Sequence, residues 1–197
     1  METAAALLAR GMADNPNHVH AFGADEAPRR AALEGMFRMI LAHQADEGRV
    51  LGAFHGRRLA GVCGMMPPGR CPSTLGSRFA ALSALFMGSG LRHSRSVLDW
   101  LEDWTATDPD VEHWHLGPAA VEPTLRRRGI GDALLRACCE MLDAEGVAGY
   151  LENDRRENLA WLRRHGFEII DEHQVLGAPN WFMLRTPPDA AAQPAEG

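Results

Sequence analysis

The order of predicted secondary structure in the second half of the chain constrains the fold more than any other feature. Strand-like and helix-like segments alternate there, and two strands then follow in succession. The segments are a strand at 112–121, an amphipathic helix at 129–145, a strand at 147–151, a helix at 154–165 and a hairpin of strands at 167–175 and 180–185. Asp154 and Glu157 are spaced as in a capping box. This order predicts an α/β fold in which helices cover both faces of a mixed sheet.

The first third of the chain adds helices and one hairpin to this pattern. Apolar residues recur at helical spacing on both sides of a predicted loop that contains Pro16, Gly23 and Pro28. Two short apolar runs at 49–54 and 59–66 then flank a turn-like segment at 55–57, as in a β-hairpin. The pattern therefore predicts a helical beginning followed by a pair of antiparallel strands.

The remaining segments define the extent of the domain. Helices are predicted at 74–87 and 94–104. The end of the chain is rich in Pro and Ala and has few large apolar groups to offset the entropy of ordering it. We expect a single domain over residues 1–186 and a disordered tail at 187–197.

The charge and residue composition exclude several classes of protein. The 197 residues include 20 basic and 26 acidic side chains, a net charge of −6 that repels nucleic acid phosphates and anionic lipids. Every basic residue is arginine, which excludes a Schiff-base or P-loop lysine. The apolar runs are too short to span a membrane, and the four cysteines lack metal-ligand spacing. We expect a cytoplasmic protein with no metal, no nucleic acid partner and no membrane partner.

The loop that follows the strand at 112–121 predicts an anion-binding site. Gly129 and Gly131 let the backbone approach a ligand closely. The N–H groups of the first turn of the next helix, with the helix dipole behind them, favour negative charge. The arginines at 126–128 add charge-assisted donors. A pyrophosphate is the expected ligand.

Three phosphate-binding interpretations compete at this loop. A P-loop requires Gly-Lys-Ser/Thr, which is absent. A dinucleotide-binding turn requires a third glycine where this chain has Leu134, although Glu152 lies about 20 residues further on, where a ribose-binding acid would sit. A nicotinamide-dinucleotide-binding protein therefore stays open as a minor alternative.

The third interpretation is a family resemblance carried by two motifs. Arg126-x-x-Gly129-x-Gly131, after a strand that ends at Val121, resembles the acyl-CoA signature Gln/Arg-x-x-Gly-x-Gly/Ala of the GNAT family of N-acyltransferases. Asn158, followed by Gly166-Phe167, resembles the second landmark of that family. The runs at 113–118 and 150–152 resemble the branch that includes puromycin N-acetyltransferase.

The resemblance implies both a fold and an activity. The fold is a mixed, mostly antiparallel central sheet with helices on both faces. The family's first edge strand is expected to be missing, since the chain is helical almost from Met1. A bare sheet edge favours pairing, so a homodimer is plausible. The implied enzyme is an N-acetyltransferase that moves the acetyl group of acetyl-CoA to a primary amine of a small molecule by direct attack in a ternary complex. A non-catalytic acyl-CoA-binding module is the alternative.

The resemblance also implies which residues bind acetyl-CoA. The backbone from Arg126 to Asp132 would hold the pyrophosphate, and the pantetheine arm would lie beside the strand that ends at Val121. The Val121 N–H would point at the thioester carbonyl oxygen and stabilise the charge that develops there. The implied cofactor-binding residues are Val121, Arg126, Arg128, Gly129, Ile130, Gly131, Asp132 and Asn158.

Two residues are candidates for catalysis, because the attacking amine must lose a proton. His115 lies six residues before Val121, where the family commonly places a base, and histidine titrates near neutral pH. Glu152 lies near the point where the two strands are expected to separate, and would act as a base or bind a cationic amine. A structural strand histidine and a solvated carboxylate are the alternatives. Leu162 occupies the position where many members of the family have an acid tyrosine.

Overall fold

The computed structural model describes residues 1–70 and 94–188. The predicted helix at 74–87 and nearly all of the predicted tail at 187–197 lie outside these residues. The described helices are α1 (Glu2–Met12), α2 (Pro16–Phe22), α3 (Glu26–Glu47), α4 (Ser94–Thr107), α5 (Ile130–Glu145) and α6 (Leu159–Arg164). The strands are β1 (Arg49–His55), β2 (Arg58–Met66), β3 (His113–Val121), β4 (Ala148–Asn153), β5 (Glu168–Val175) and β6 (Ala178–Arg185). Single 3₁₀ turns at Pro123–Leu125 and Arg156–Asn158 precede α5 and α6.

The strands form one six-stranded sheet in the order β1-β2-β3-β4-β6-β5. Neighbouring strands are antiparallel except for β3 and β4, which run parallel and are connected through α5. The prediction of a mixed, mostly antiparallel sheet is confirmed. The helices α1, α2 and α3 precede β1, which lies at one edge of the sheet.

Two hydrophobic cores cover the two faces of the sheet. One contains side chains of α1 to α4 and the other contains side chains of α5 and α6. Alternate residues of a strand supply opposite faces, so Tyr150 of β4 packs in the first core and Leu151 in the second. Tyr150 is completely buried. Helices therefore cover both faces, as predicted.

The predicted loop around Pro16 and Pro28 is helical instead. Pro16 is the first residue of α2, and Pro28 lies in the first turn of α3. The first N–H groups of a helix have no intrahelical acceptor, so a proline there costs no hydrogen bond and its φ angle already suits the helix. The actual break is at Gly23, which has a φ of 88°.

The capping box predicted at Asp154 and Glu157 is wrong. The Asp154 carboxylate accepts hydrogen bonds from the Asn17 backbone N–H and from Asn15 Nδ2, both at 3.0 Å. Asp154 therefore connects the junction of α1 and α2 to the end of β4 by hydrogen bonds. Because this side chain is engaged elsewhere, the segment after it forms a 3₁₀ turn and the α-helix begins only at Leu159.

We expect His18 to make the fold sensitive to acid. The ring lies between Phe37 and Trp100, and burial lowers the pKa of His18 to about 4. The unfolded chain binds a proton at pH 4–6.5 that the folded chain does not, so stability present above pH 6.5 is lost as the pH falls to 4. The contribution is about 3 kcal/mol. Urea unfolding of the wild type and of His18→Phe from pH 7 to pH 4 measures it. If the free energy of unfolding falls equally steeply between pH 7 and pH 4 in the two proteins, the prediction is contradicted.

Candidate active site

The site is built around a gap between β3 and β4. The two strands pair only at His113–Ala148, Trp114–Gly149 and His115–Tyr150. Beyond these pairs β3 continues to Val121 and stays paired with β2, whereas β4 continues to Asn153 and stays paired with β6. The parallel strands therefore separate after His115, and the facing backbone edges are available to an extended ligand.

Hydrogen bonding to β2 orients the Val121 amide toward this gap. The Glu122 N–H donates to the Ala60 carbonyl at 2.9 Å, and Val121 stands opposite Gly61. Successive backbone groups of a strand alternate in direction, so the Val121 N–H points away from β2 and into the gap. This is the direction that the sequence interpretation requires.

A buried glutamine from α3 supports the strand where the gap opens. Gln44 Nε2 donates to the Gly117 carbonyl at 2.6 Å, two residues beyond His115. The pairing of β2 with β3 is irregular between Cys63 and Met65, and the carboxamide of Gln44 lies directly on Gly64. Gly64 is needed because a Cβ atom there would overlap that carboxamide.

We expect Gly64→Ala to destabilise the fold through this overlap. Overpacking of this kind costs about 1–3 kcal/mol. The double variant Gly64→Ala/Gln44→Ala removes the overlapping group, so the alanine at 64 should cost much less in the Gln44→Ala background. Urea unfolding of all four proteins gives the coupling free energy. If the two substitutions change the free energy of unfolding by strictly additive amounts, Gln44 does not require glycine at position 64.

The N-terminus of α5 presents a cluster of backbone donors at the mouth of the gap. Arg127 and Gly129 have φ angles of 64° and 78°, which turn the chain into the helix. The N–H groups at 130–132 have no intrahelical acceptor because they lie in the first turn, and no side chain caps this helix. Sixteen residues of aligned peptide dipoles lie behind them. The arrangement favours a bound anion, as the sequence predicted.

The arginines before α5 are not equivalent. Arg126 donates from Nη2 to the Gly11 carbonyl at 2.5 Å and so connects the loop to α1. Arg127 and Arg128 are exposed. Glu122, which is buried and directly follows β3, forms an ion pair with Arg10 at 2.7 Å. Arg126 is therefore available to a ligand mainly through its backbone, while Arg128 offers its side chain.

His115 and Glu152 meet on the opposite face of the gap. His115 Nε2 lies 2.8 Å from Glu152 Oε2, and the side chains are 12% and 5% exposed. The ring of His115 packs edge-on against Tyr150, which fixes its orientation. The second oxygen, Glu152 Oε1, is buried and has no hydrogen-bond partner among residues 1–70 and 94–188. The two predicted catalytic residues thus form one polar unit at the point where the strands separate.

The second sequence landmark lies between β4 and α6. Asn158 ends the 3₁₀ turn before α6, and its Nδ2 donates to Asn153 Oδ1 at 3.1 Å. Leu162 is 4% exposed and packs in the core beneath α5. Leu162 is thus a packing residue, and it offers no proton donor.

Trp161 and His165, which join α6 to Asp132 of α5, were not predicted from the sequence. Asp132 Oδ1 accepts a hydrogen bond from the Trp161 indole N–H at 3.3 Å and lies 2.8 Å from His165 Nε2. Trp161 and His165 stand three and seven residues after Asn158, so they share a helix face with it, and this spacing was the available signal.

The described residues contain neither a membrane-spanning helix nor a cluster of metal ligands. No helix there is both long and apolar enough to cross a lipid bilayer. No group of three or more His, Cys, Asp or Glu side chains in residues 1–70 and 94–188 is arranged to hold a metal ion. The absence of a metal stays a prediction.

Comparison with known proteins agrees with this geometry. The family model described as acetyltransferase (GNAT) family matches residues 18–167. A Corynebacterium glutamicum protein described as histone acetyltransferase HPA2 and related acetyltransferase superposes with a TM-score of 0.71 at 20% identity, over 98% of this chain and 92% of that one. The polyamine N-acetyltransferase of Drosophila melanogaster superposes with a TM-score of 0.61 at 17% identity, over 91% of each chain.

A third structure contains coenzyme A, the carrier part of acetyl-CoA. The PaiA N-acetyltransferase of Thermoplasma acidophilum, in complex with coenzyme A, superposes with a TM-score of 0.54 at 13% identity, over 94% of this chain and 91% of that one. At such identities these three structures support the fold alone, whereas the family model covers most of the chain. The chain belongs to the GNAT family of acetyltransferases.

Proposed function

We propose that this protein is an N-acetyltransferase that transfers the acetyl group of acetyl-CoA to a primary amine of a small molecule. One observation carries the proposal: the gap between β3 and β4 lies between the amide cluster of α5 and the His115–Glu152 pair. The α5 side and the His115–Glu152 side belong to opposite faces of the sheet. A thioester and an amine can therefore enter from opposite sides and meet in the gap.

The backbone of the chain fits the phosphates and the arm of acetyl-CoA. The N–H groups of Ile130, Gly131 and Asp132 would bind the pyrophosphate, with Gly129 allowing close approach and Arg128 adding charge. The loop backbone at Arg126 would complete this contact. The pantetheine arm would pair with the free edge of β3, and Asn158 would approach it from α6.

The His115–Glu152 pair would prepare the amine for attack. An ammonium ion reaching Glu152 Oε1 would give one proton to the pair, which holds it as a carboxylic acid or as an imidazolium. The neutral amine then attacks the thioester carbonyl carbon directly, without an acyl-enzyme. Val121 lies six residues beyond His115, about 20 Å along the strand, so its N–H would contact the pantetheine arm. A backbone N–H of β3 nearer to His115 would stabilise the oxygen as negative charge develops on it. The C–S bond breaks, and the electron pair leaves with the sulfur. The attacking nitrogen then loses its second proton through water to the thiolate, which leaves as the thiol.

The leaving group needs no dedicated acid in this chain. Leu162 stands where a tyrosine would donate a proton, and its side chain is buried. A thiol has a pKa of about 8.5, so the thiolate is a tolerable leaving group and water can protonate it.

Several further assignments stay proposals. One of the three superposed structures is a polyamine N-acetyltransferase, which supports a small cationic amine as acceptor. The runs at 113–118 and 150–152 support the branch that includes puromycin N-acetyltransferase. We also propose a cytoplasmic location, no nucleic acid or membrane partner, and a homodimer that pairs through the edge strand β1.

Release of free CoA thiol tests the proposed function. We expect acetyl-CoA plus at least one primary amine from a panel of polyamines, amino acids and aminonucleosides to give steady thiol release and an acetylated amine by mass spectrometry. Tight binding of acetyl-CoA with no turnover on the whole panel would favour the alternative of a non-catalytic binding module. Binding of NAD in place of acetyl-CoA would favour the dinucleotide alternative.

A further inference from the structure

Two tryptophans of α4 carry buried hydrogen-bond donors that are not used. Trp100 and Trp104 stand one helical turn apart, and their rings pack edge-on with centroids 4.8 Å apart. Trp100 is only 6% exposed. Both indole nitrogens are buried, and neither has a hydrogen-bond partner within the two described parts of the chain. Buried indole N–H groups usually have a partner, because an unpaired one costs free energy. The two donors are therefore candidates for ligand recognition.

The C-terminal end of α4 lies beside the proposed catalytic pair. The Tyr150 hydroxyl donates to the carbonyl oxygen of Thr107, the last residue of α4, at 3.5 Å. The Tyr150 ring also packs edge-on against His115, with centroids 5.3 Å apart. Trp104 stands three residues before Thr107, about 4.5 Å along the helix axis. The tryptophan is thus about one helical turn from the contact between α4 and Tyr150.

The rest of α4 extends along β4 past Glu152. The Trp100 ring packs edge-on against His18 of α2, with centroids 5.2 Å apart. The residue before His18 donates its backbone N–H to the carboxylate of Asp154, which directly follows β4. The helix therefore extends from Tyr150 toward Asp154, and Glu152 lies between these two residues on the face of Tyr150. Both indoles stand on the side of the sheet where Glu152 Oε1 is also buried, without a partner among the described residues.

These groups define the chemistry of a ligand that binds between them. An indole N–H can only donate, so the ligand must bring an acceptor to Trp100 and Trp104. A carboxylate can only accept, so the ligand must bring a donor to Glu152 Oε1, as the ammonium of the proposed substrate does. A second ammonium in place of the acceptor would leave both indole donors unpaired.

The charges on this side of the sheet favour a neutral acceptor. Arg29 and Arg155 are the arginines that act electrostatically on His18. Arg29 donates to two backbone carbonyls beside α2, and Arg155 forms ion pairs with two carboxylates. A ligand carboxylate would therefore be buried near Glu152 without a cation of its own, which is costly. A neutral carbonyl oxygen has two lone pairs and can accept from both indoles.

We propose that Trp100 and Trp104 select amines that carry a neutral carbonyl oxygen. The ammonium reaches Glu152 Oε1, and the carbonyl oxygen accepts hydrogen bonds from the two indole N–H groups. This selection rests on the proposed N-acetyltransferase function. It narrows the substrate class to amino amides with a single positive charge, in preference to polyamines and free amino acids.

A homologous series of amines tests the preference. The values of kcat/KM with acetyl-CoA are measured for ω-amino amides of increasing chain length and for the diamines and ω-amino acids of the same lengths. At the best length, the amide should exceed both the diamine and the amino acid roughly tenfold. If the diamine equals or exceeds the amide, the indoles bind cations through their ring faces, and the inference is wrong. A preference for the amino acid would overturn it as well.

Phenylalanine variants test the two donors. Trp100→Phe and Trp104→Phe keep an aromatic ring and remove the N–H. Each should lower the ratio of kcat/KM for the amide to that for the diamine roughly threefold to tenfold. Trp181→Phe is the matched control, because Trp181 is as deeply buried but packs in the core on the opposite face of the sheet. An unchanged ratio in both α4 variants, or an equal fall in Trp181→Phe, would overturn the inference.

The indole proton resonances give a readout that does not depend on turnover. The chain has five tryptophans, and the two α4 variants assign the signals of Trp100 and Trp104 in ¹⁵N-labelled protein. Saturating ω-amino amide, added to the wild type with coenzyme A, should move these two signals downfield, as expected for N–H groups that enter hydrogen bonds. Signals that stay in place, or that move equally with the diamine, would contradict the proposal.

The outcomes also separate this inference from the proposed function. If the wild type acetylates amines without preferring the amides, the proposed function stands and the selection by the indoles is wrong. If the amides move the two indole signals but no amine is acetylated, the subsite binds as inferred and the proposed function fails. If neither acetylation nor a shift of the indole signals is observed, both are wrong.

Discussion

Replacing His115 by glutamine is expected to lower kcat by a factor of about 10²–10⁴, the usual contribution of a general base. Glu152→Gln should cause a loss of similar size, because it removes the other half of the unit that accepts the proton of the amine. The two side chains are 2.8 Å apart and almost completely buried, so neither can act independently. The double variant should therefore be little slower than the slower single variant.

The pH dependence of turnover distinguishes catalysis from structural damage. In the wild type, kcat should rise with pH as the pair loses its proton, and His115→Gln should remove this rise. His113→Gln is the matched control, because His113 is also buried, also packs against Tyr150 and also approaches a carboxylate, Asp108, at 3.3 Å. If His113→Gln slows turnover as much as His115→Gln does, the assignment of His115 as base is wrong.

Removing one amide donor of α5 is expected to raise KM for acetyl-CoA roughly tenfold to hundredfold. Ile130 is the first residue of the helix, where a proline removes an N–H that has no intrahelical acceptor but also disfavours the left-handed conformation of Gly129 before it. A hydrogen bond to a charged group contributes about 1.5–3 kcal/mol. Ile130→Pro should therefore weaken acetyl-CoA binding while the acceptor-side residues stay unchanged.

Ile130→Ala is the matched control for this variant. Ile130 Cγ2 lies 3.2 Å from where a Cβ atom on Gly61 would be, so both substitutions lose the same packing against β2. Only the proline variant also loses the N–H. Equal KM values for the two variants would show that the Ile130 amide does not bind the co-substrate, whatever the stability of each protein.

Local sequence patterns were sufficient to predict most of the elements that position the site. The helix predicted at 129–145 is α5, Ile130–Glu145, because its apolar face has a clear period and Gly146 ends it in a left-handed conformation. The order of strands and helices also predicted a mixed sheet, and the structure identifies β3 and β4 as its parallel pair. Gly129 and Gly131 indicated where to expect an anion, because glycine spacing reveals a backbone that a ligand can approach closely; that this loop binds one stays a prediction.

Contacts between distant segments could not be predicted in the same way. Asp154 reads as a helix cap in the sequence, but its partners lie 137 and 139 residues away. His115 and Glu152 were each identified as candidates, yet their contact depends on the register of two parallel strands and the length of β4 beyond it. Trp161 was missed because its significance arises only when α6 packs against the first turn of α5.

A crystal structure of this protein with coenzyme A would test the central claim most directly. Two phosphates are expected within hydrogen-bond distance of the N–H groups at 130–132, with the pantetheine arm between β3 and β4. Coenzyme A bound anywhere else, or a gap that stays empty at saturating ligand, would contradict the account.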